Sequence, residues 1–315
     1  MENQLMAIEY SSFAGWEKNL RFSNRLVEAI ITLEAGPRII SFKPLEGRSV
    51  FKLVSEEAGK SEEGEWKIRG GHRLWTAPED FGQANSLCYA LDNSTVEHEI
   101  VDEFTARVSN VIQRPSRLRR EMIVKLGQTT PKITVQHRIA HEGGGPLEVA
   151  PWGLTVMATG GFAVLPQPAL GTHPEDYLPN RAIVAWPFTD LSDERFYLGR
   201  SLISLRQTDR PPFKIGLRHP EGWAGYVLGD HLFLKSVPFI EGENYPDFGS
   251  NFETFTNAAF LELETLGPLK RLSEGEALTH TESWVVFSNV SLPEVKDDQA
   301  FLAAVEPYTA QLLRD

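Results

Sequence analysis

Several features are scarce or missing in this chain of 315 residues, and each absence narrows what the protein can be. Cys88 is the only cysteine, which excludes an internal disulfide and fits a reducing compartment. No stretch reaches the ~18 consecutive apolar residues that a membrane helix needs. The N-terminus also lacks the basic and then apolar pattern of a signal peptide. We therefore expect a cytoplasmic protein with no membrane partner.

Positive charge is scarce as well. The chain has 31 lysines and arginines against 43 acidic residues, a formal net charge of -12. Because nucleic-acid binding rests on a basic face, a nucleic-acid partner is not expected. The sequence has no Walker loop, no GxGxxG, no HExxH and no GxSxG motif, so it predicts no cofactor. Acids near His72 leave a divalent metal ion open as an alternative.

Strand patterns dominate what remains. Residues 26–33 are rich in β-branched side chains and lead into the turn signal Gly36-Pro37. Residues 132–139 alternate, with His137 on the apolar face, where it is interpreted as a core histidine. Short strands separated by glycine and proline indicate an all-β sandwich or barrel rather than alternating β and α units. We expect one domain over residues 1–315.

Helical patterns are confined to the end of the chain. Residues 290–315 read as a helical tail packed on the sheets, with Phe301, Leu302 and Val305 on one face. Pro307 is expected to break or restart it, because proline lacks the backbone N–H that continues a helix. The sequence therefore predicts one or two short helices.

A strand near residue 262 carries the first candidate site. Leu261 and Leu263 face one side, while Phe260, Glu262 and Glu264 face the other. Two carboxylates on one partly buried face discourage each other's ionisation, so one pKa should rise toward the range useful for proton transfer. The alternative is a solvated face on which both glutamates only aid solubility.

Residues 68–82 form the second candidate site. They gather cations, acids and an aromatic ring around two adjacent glycines: Arg69, Gly70, Gly71, His72, Arg73, Trp75 and Glu79. A few convergent polar groups in an aromatic wall are typical of a carbohydrate pocket. The alternative is a tight β-turn whose arginines pair with nearby acids.

Read together, the two segments resemble a known superfamily. Ile68-Arg69-Gly70-Gly71 with Trp75 and Phe81-Gly82 resembles the "IRGG…W…FG" signature of hexose-6-phosphate mutarotases. Leu263-Glu264-Thr265, then Gly267-Pro268 and Glu274-Gly275-Glu276, resembles the "LET…P…PGE" ending of galactose mutarotases. Residues 245–252 resemble the segment just before that ending. The motifs occur in the same order over residues 24–287, so the chain resembles the galactose-mutarotase-like superfamily.

This resemblance implies an antiparallel β supersandwich with short C-terminal helices and a sugar cleft on its concave face. It implies aldose 1-epimerase chemistry, in which a carboxylate takes the proton of the anomeric hydroxyl while an acid protonates the ring oxygen. By the same resemblance Glu264 is the base, and Arg69 orients the substrate. The remaining residues expected to bind the sugar are Arg73, Trp75, Glu79, Trp152, Asn251 and Glu262.

One departure from the superfamily pattern concerns the acid. Mutarotases carry it as a histidine in an "HSYF"-like segment, whereas here residues 148–154 match, with Trp152 near the histidine's place. An indole cannot protonate a ring oxygen at neutral pH, so His72 becomes the candidate acid. Two alternatives to anomer exchange remain open: a non-catalytic sugar-binding or sensing protein, or another isomerase or lyase reaction of the Glu262/Glu264 pair. In each case the expected partner is a small carbohydrate.

Overall fold

The computed structural model describes residues 7–80, 87–89, 92–110 and 117–314. Phe81 and Gly82 of the mutarotase-like signature lie outside these residues. The described elements are almost all strands, with one four-residue helical turn and one long helix. In chain order they are β1 (Ile8–Phe13), β2 (Trp16–Ser23), β3 (Val27–Thr32), β4 (Arg38–Pro44), β5 (Gly71–Ala77), β6 (Val96–Asp102), β7 (Thr105–Asn110), β8 (Leu118–Leu126), β9 (Lys132–His141), β10 (Leu147–Met157), β11 (Phe162–Pro166), β12 (Ala182–Ala185), β13 (Phe196–Leu198), β14 (Leu202–Arg206), β15 (Phe213–Arg218), β16 (Trp223–Leu228), β17 (His231–Ser236), α1 (Pro246–Gly249), β18 (Phe252–Thr256), β19 (Leu261–Leu266), β20 (Lys270–Leu272), β21 (Ala277–Phe287) and α2 (Asp298–Leu312).

The strands form two large sheets. The first has eleven strands in the order β1-β2-β3-β4-β5-β10-β19-β18-β15-β12, with β20 paired to β10. The second has ten strands in the order β13-β14-β11-β16-β17-β21-β9-β8-β7-β6. The inner faces of both sheets supply one continuous apolar core, to which Leu74 and Leu263 contribute from the first sheet and Val135 and Trp284 from the second. The predicted all-β sandwich is therefore confirmed.

Two strands show why the sequence patterns were readable. On β9, Ile133, Val135 and His137 are fully buried while Thr134 and Gln136 are partly exposed, as the alternation predicts. On β19, Leu261 and Leu263 enter the core between the sheets. The glutamates that alternate with them must point to the outer face of the first sheet, which is where a cleft lies.

The C-terminal helix differs from the prediction in one respect. It runs unbroken from Asp298 to Leu312, with Pro307 inside it and the Asp297 carboxylate accepting from the backbone N–H of Ala300. The proline removes one main-chain hydrogen bond, but the buried residues Phe301, Val305 and Leu312 pack with an apolar cluster of the second sheet. This packing keeps the helix whole, so the predicted break at Pro307 is wrong. Among the described residues, no helix is both long enough and apolar enough to span a membrane.

Candidate functional site

Five neighbouring strands of the first sheet (β5, β10, β19, β18 and β15) build the candidate site. Their register places Arg73 opposite Leu154, Leu154 opposite Glu264, and Glu264 opposite Glu253. Residues far apart in the chain thus form one row across the sheet. Because side chains alternate along a strand, this row shares the face that points away from the core.

A cleft of about 290 Å³ opens above this row. Its wall is largely aromatic, and its charged groups are two cations and three acids. The lining residues are Trp66, Ile68, Arg73, Trp75, Glu79, Tyr89, Trp152, Leu154, Trp186, Phe188, Lys214, Phe255, Phe260, Glu262 and Glu264. A concave, mainly apolar surface with a few convergent polar groups is typical of small-molecule sites.

Glu264 is the central acid of this cleft and is almost fully buried. Its Oε2 accepts from Trp152 Nε1 at 2.9 Å and from Lys214 Nζ at 3.1 Å. Its Oε1 has no hydrogen-bond partner among the residues that the structure describes. Burial is the largest influence on the carboxyl and raises its pKa; Lys214 opposes the rise, and Glu262 adds to it. The alternative of a solvated glutamate face therefore does not hold.

Lys214 and Glu253 complete the charged floor, and the sequence patterns did not select either of them. Lys214 Nζ lies 2.7 Å from Glu253 Oε2, and it lies 4.8 Å and 4.6 Å from the ring centroids of Trp152 and Trp186. Glu253 is fully buried, and burial raises the pKa of its carboxyl well above the usual value. The sequence signal that could have identified Lys214 is a lysine between two apolar residues in the strand Phe213-Lys214-Ile215.

Arg73 anchors the other end of the cleft. Its Nη1 donates to Glu262 Oε1 at 2.9 Å, and its guanidinium lies 4.3 Å from the centroid of the Trp75 ring. Asp92 fixes this wall, since its Oδ2 accepts from Trp66 Nε1 at 3.2 Å and from Trp75 Nε1 at 3.4 Å and also pairs with Arg38. Asp92 is a further residue that the sequence patterns missed.

The structure brings most of the predicted residues together. Six of them line the cleft: Arg73, Trp75, Glu79, Trp152, Glu262 and Glu264. Glu79 lies at the exposed rim, where its carboxylate accepts from the Tyr89 hydroxyl. Trp152, matched to the missing histidine, serves here as a hydrogen-bond donor to Glu264.

Arg69 does not join them. Its side chain is fully buried; it pairs with Glu63 and bonds Asn93 and the carbonyl of Lys60. The glycines beside it serve the backbone, because a Cβ on Gly70 would lie 2.0 Å from the carbonyl oxygen of Lys52. At this half of the mutarotase-like signature, two segments of backbone pass very close to each other. The position of Arg69 gives no support to the substrate-orienting role expected for it.

Asn251 and His72 also lie away from the cleft. The side chain of Asn251 bonds both the backbone N–H and the carbonyl of His219, at 2.6 and 3.0 Å, and so fastens the end of β15. His72 precedes Arg73 on β5, and neighbouring residues of a strand point to opposite faces. Its ring therefore lies between the sheets, where it cannot serve as the acid for a sugar bound over Glu264.

The interior holds a second polar cluster around His72. His137 Nδ1 donates to the carbonyl of His280 at 2.9 Å, so its Nε2 accepts from His72 Nε2 at 2.7 Å. Lys235 Nζ lies 3.0 Å from Glu282 Oε1 and donates to Thr155 Oγ1 at 3.1 Å. His72 Nδ1 lies 2.9 Å from the same threonine oxygen.

Donor atoms of His72, His137 and Glu282 lie within 4.8 Å of one another, which makes them the candidate metal ligands among the described residues. However, the short distance between the two histidine nitrogens is that of an N–H···N hydrogen bond. The ammonium of Lys235 already neutralises Glu282. The lone pairs that a metal ion would need are thus engaged in a hydrogen-bonded network.

Comparisons with known proteins agree on the fold. No protein-family model matches the chain, and no curated protein matches it in sequence. Among solved structures, a proposed aldose 1-epimerase from Klebsiella pneumoniae superposes with a TM-score of 0.61 at 12% identity, covering 98% of this chain and 88% of that one. A galactose mutarotase related enzyme from Lactobacillus acidophilus gives 0.52 at 10% identity, covering 86% and 98%.

A third similar structure is a TPR-domain containing protein from Parabacteroides distasonis, with a TM-score of 0.58 at 14% identity. The match covers 88% of this chain but 48% of that one, so this chain spans about half of that protein's length. Identities this low establish the fold alone. The chain has the galactose-mutarotase-like β-sandwich fold.

Proposed function

We propose that this protein binds a neutral monosaccharide in the cleft and interconverts its anomers, with Glu264 as the base. The observation that carries the proposal is the state of the Glu264 carboxylate. One oxygen is held by Trp152 and Lys214, while the other lacks a hydrogen-bond partner among the described residues. A buried acceptor without a partner is costly. A hydroxyl group of a ligand would satisfy it.

The charges of the cleft favour a neutral sugar over a phosphorylated or acidic one. Arg73 is paired with Glu262, and Lys214 is paired with Glu253 and Glu264. Neither cation is therefore free to neutralise an anionic group. The cleft is also lined by more carboxylates than cations, three against two. The aromatic wall supplies flat faces for the apolar side of a pyranose ring.

Glu264 suits the chemistry of anomer exchange. A raised pKa makes a carboxylate a stronger base at neutral pH, provided that it stays ionised, and the ammonium of Lys214 favours the ionised form. In the reaction, Glu264 takes the proton of the anomeric hydroxyl as the bond between C1 and the ring oxygen breaks. Rotation about the C1–C2 bond and reclosure then give the other anomer.

The test is anomer exchange followed by polarimetry or NMR on α-glucose, α-galactose and their uronic acids, with calorimetry on the same sugars. We expect exchange of a neutral sugar faster than in buffer and weaker binding of the uronic acids. Glu264→Gln should lower kcat by roughly 10²–10⁴-fold with little change in sugar affinity, because it removes a transition-state role. The control is Glu274→Gln, which changes an exposed acid of the predicted "PGE" motif.

The second candidate function, non-catalytic sugar binding, rests on the ion pair with Lys214 and the hydrogen bond from Trp152 that hold Glu264 Oε2. If wild-type exchange is no faster than buffer for every sugar while a sugar still binds, anomer exchange is rejected and sugar binding is retained. In that case Glu264→Gln should weaken binding, because the lost charge would be part of the binding site itself.

A further inference from the structure

Lys214 occupies a position from which it can act on the same end of a bound sugar as Glu264. Its Nζ lies 3.1 Å from Glu264 Oε2 and 2.7 Å from Glu253 Oε2, between the Trp152 and Trp186 rings. The side chain is 8% exposed and lines the cleft. A long flexible side chain is thereby fixed in one place, with its ammonium beside the proposed base.

The other cation of the cleft and its indoles cannot supply a proton. The guanidinium of Arg73 does not deprotonate in proteins, and the indoles of Trp152 and Trp186 are not acids at neutral pH. His72 points into the interior, as described above. Of the cations that line the cleft, Lys214 alone carries a proton that it can release, and it alone contacts Glu264.

The geometry of a hemiacetal matches this pair. The anomeric hydroxyl and the ring oxygen are attached to the same carbon, so an acid and a base that act on them must lie side by side. Resting on the proposed anomer exchange, we propose that Lys214 is the catalytic acid, which protonates the ring oxygen while Glu264 takes the proton of the anomeric hydroxyl.

Lys214 and Glu264 together supply and take up every proton that the reaction moves. During ring opening the C1–O5 bond breaks, O5 gains a proton from Lys214, Glu264 gains the proton of O1, and C1 becomes an aldehyde. On reclosure O5 attacks C1 and returns its proton to Lys214, while Glu264 returns its proton to O1. The enzyme recovers its starting state and needs no co-reactant.

The electrostatics of the floor couple the two transfers. Burial alone would lower the pKa of Lys214, but Glu264 and then Glu253 outweigh it and hold the pKa above the usual value. When Glu264 accepts a proton from the sugar, one of these two negative charges disappears. Lys214 becomes a stronger acid at the moment when the ring oxygen needs its proton. Glu253 keeps the ammonium in place throughout, as a positioning residue.

Lys214→Ala and Lys214→Arg test this assignment, with Lys270→Ala as the matched control, since Lys270 forms a surface ion pair with Glu243. Lys214→Ala should lower kcat by roughly 10²–10⁴-fold with sugar affinity nearly unchanged. Added ethylamine should restore part of the rate, because a free ammonium can enter the space of the side chain. Arginine keeps the charge but cannot give up a proton, so Lys214→Arg should be as slow as the alanine variant.

The arginine variant keeps the test decisive if Lys214→Ala fails to fold, because it still pairs with both carboxylates. A Lys214→Arg rate within about threefold of wild type would overturn the assignment while leaving the proposed function intact. Loss of activity in Lys214→Ala that ethylamine does not restore would also overturn it and leave Lys214 a structural role. A wild-type protein that exchanges no sugar would reject the proposed function itself, and this assignment with it.

Discussion

Two buried lysine–glutamate centres in the described part of the chain differ in what surrounds them. The cleft centre, formed by Lys214, Glu253 and Glu264, lies on the outer face of the first sheet. The interior centre, formed by Lys235 and Glu282, lies between the two sheets. Both oxygens of Glu282 are engaged, Oε1 by Lys235 and Thr265 and Oε2 by Trp284 Nε1.

This difference indicates a functional role for the cleft centre and a structural role for the interior centre. The cleft centre leaves Glu264 Oε1 without a partner among the described residues and raises the pKa of that carboxyl. In the interior centre, burial alone would raise the pKa of Glu282, but the surrounding groups, Lys235 first among them, together outweigh it and hold the pKa below its usual value. A satisfied carboxylate stabilises a fold, whereas an under-satisfied one beside a cleft is poised for a ligand.

The largest expected effect comes from making the same substitution in both centres. Glu282→Gln leaves the fully buried ammonium of Lys235 without a counter-charge and should cost about 3–5 kcal/mol of unfolding free energy. Glu264→Gln should cost about 1 kcal/mol or less, because a raised pKa means that folding already disfavours the charged form. Urea denaturation of both variants measures the difference. Equal losses would contradict the separation of roles.

Gly153 gives a smaller effect at the boundary between the centres. It lies between Trp152 and Leu154 of the cleft, yet a Cβ on it would lie 2.4 Å from Glu282 Oε1 and 3.2 Å from Thr265 Oγ1. Gly153→Ala should therefore destabilise the fold by about 1–3 kcal/mol, through the interior network. Gly145→Ala is the matched control, since nothing described lies within 4 Å of its added Cβ. A neutral Gly153→Ala would mean that the interior network is loosely packed.

The pH dependence of stability has opposite signs for the histidines around the interior centre and for the carboxyls of the cleft centre. Burial, the largest cause, lowers the pKa of His72, His137 and His280 from 6.5, that of His280 to about 3. Their contribution to stability is present above pH 6.5 and is lost as the pH falls, by up to about 1.4 kcal/mol per pH unit for each histidine. The raised pKa values of Glu253 and Glu264 act in the other direction and offset part of this loss.

Urea unfolding at pH 7 and pH 5 tests this sign. We expect lower stability at pH 5 and a smaller difference in His280→Gln, where one of the titrating groups is gone. The exposed His173→Gln variant should behave as wild type. Equal stability at the two pH values in the wild type would contradict neutral histidines in the interior.

The smallest expected effect concerns the aromatic wall. Trp186 is partly exposed, and its ring lies 4.6 Å from Lys214 Nζ. Trp186→Ala should weaken sugar binding by roughly 0.5–1.5 kcal/mol, because one stacking face is lost. Leu191→Ala, an exposed apolar residue that does not line the cleft, is the control for calorimetry. Unchanged affinity in Trp186→Ala would place the sugar away from this wall.

The fold could largely be predicted from the sequence because strands such as β9 alternate between apolar and polar residues. The patterns at Ile133 and Val135 and at Leu261 and Leu263 fixed which side of each strand enters the core. The length of the C-terminal helix was harder to predict, because the low helix propensity of proline alone suggests a break at Pro307. Packing against the second sheet, which the sequence does not display, keeps that helix continuous.

The candidate site was readable only in part. Glu264, Arg73 and Trp75 could be predicted from motifs, but strand pairing brings Lys214 to the cleft and Glu253 to Lys214. The register between paired strands places residues side by side that are far apart in the chain, so no local sequence pattern connects them. The same geometry explains the failure at His72, since it is next to Arg73 in the chain but points to the opposite face of the sheet.

A crystal structure with a neutral monosaccharide bound is the most direct test of the proposed sugar site. We expect the sugar to fill the cleft, with its anomeric hydroxyl about 2.5–3.0 Å from Glu264 Oε1 and its ring oxygen nearest to Lys214 Nζ. A sugar bound elsewhere on the molecule, or one in this cleft whose C1 points away from Glu264, would contradict it.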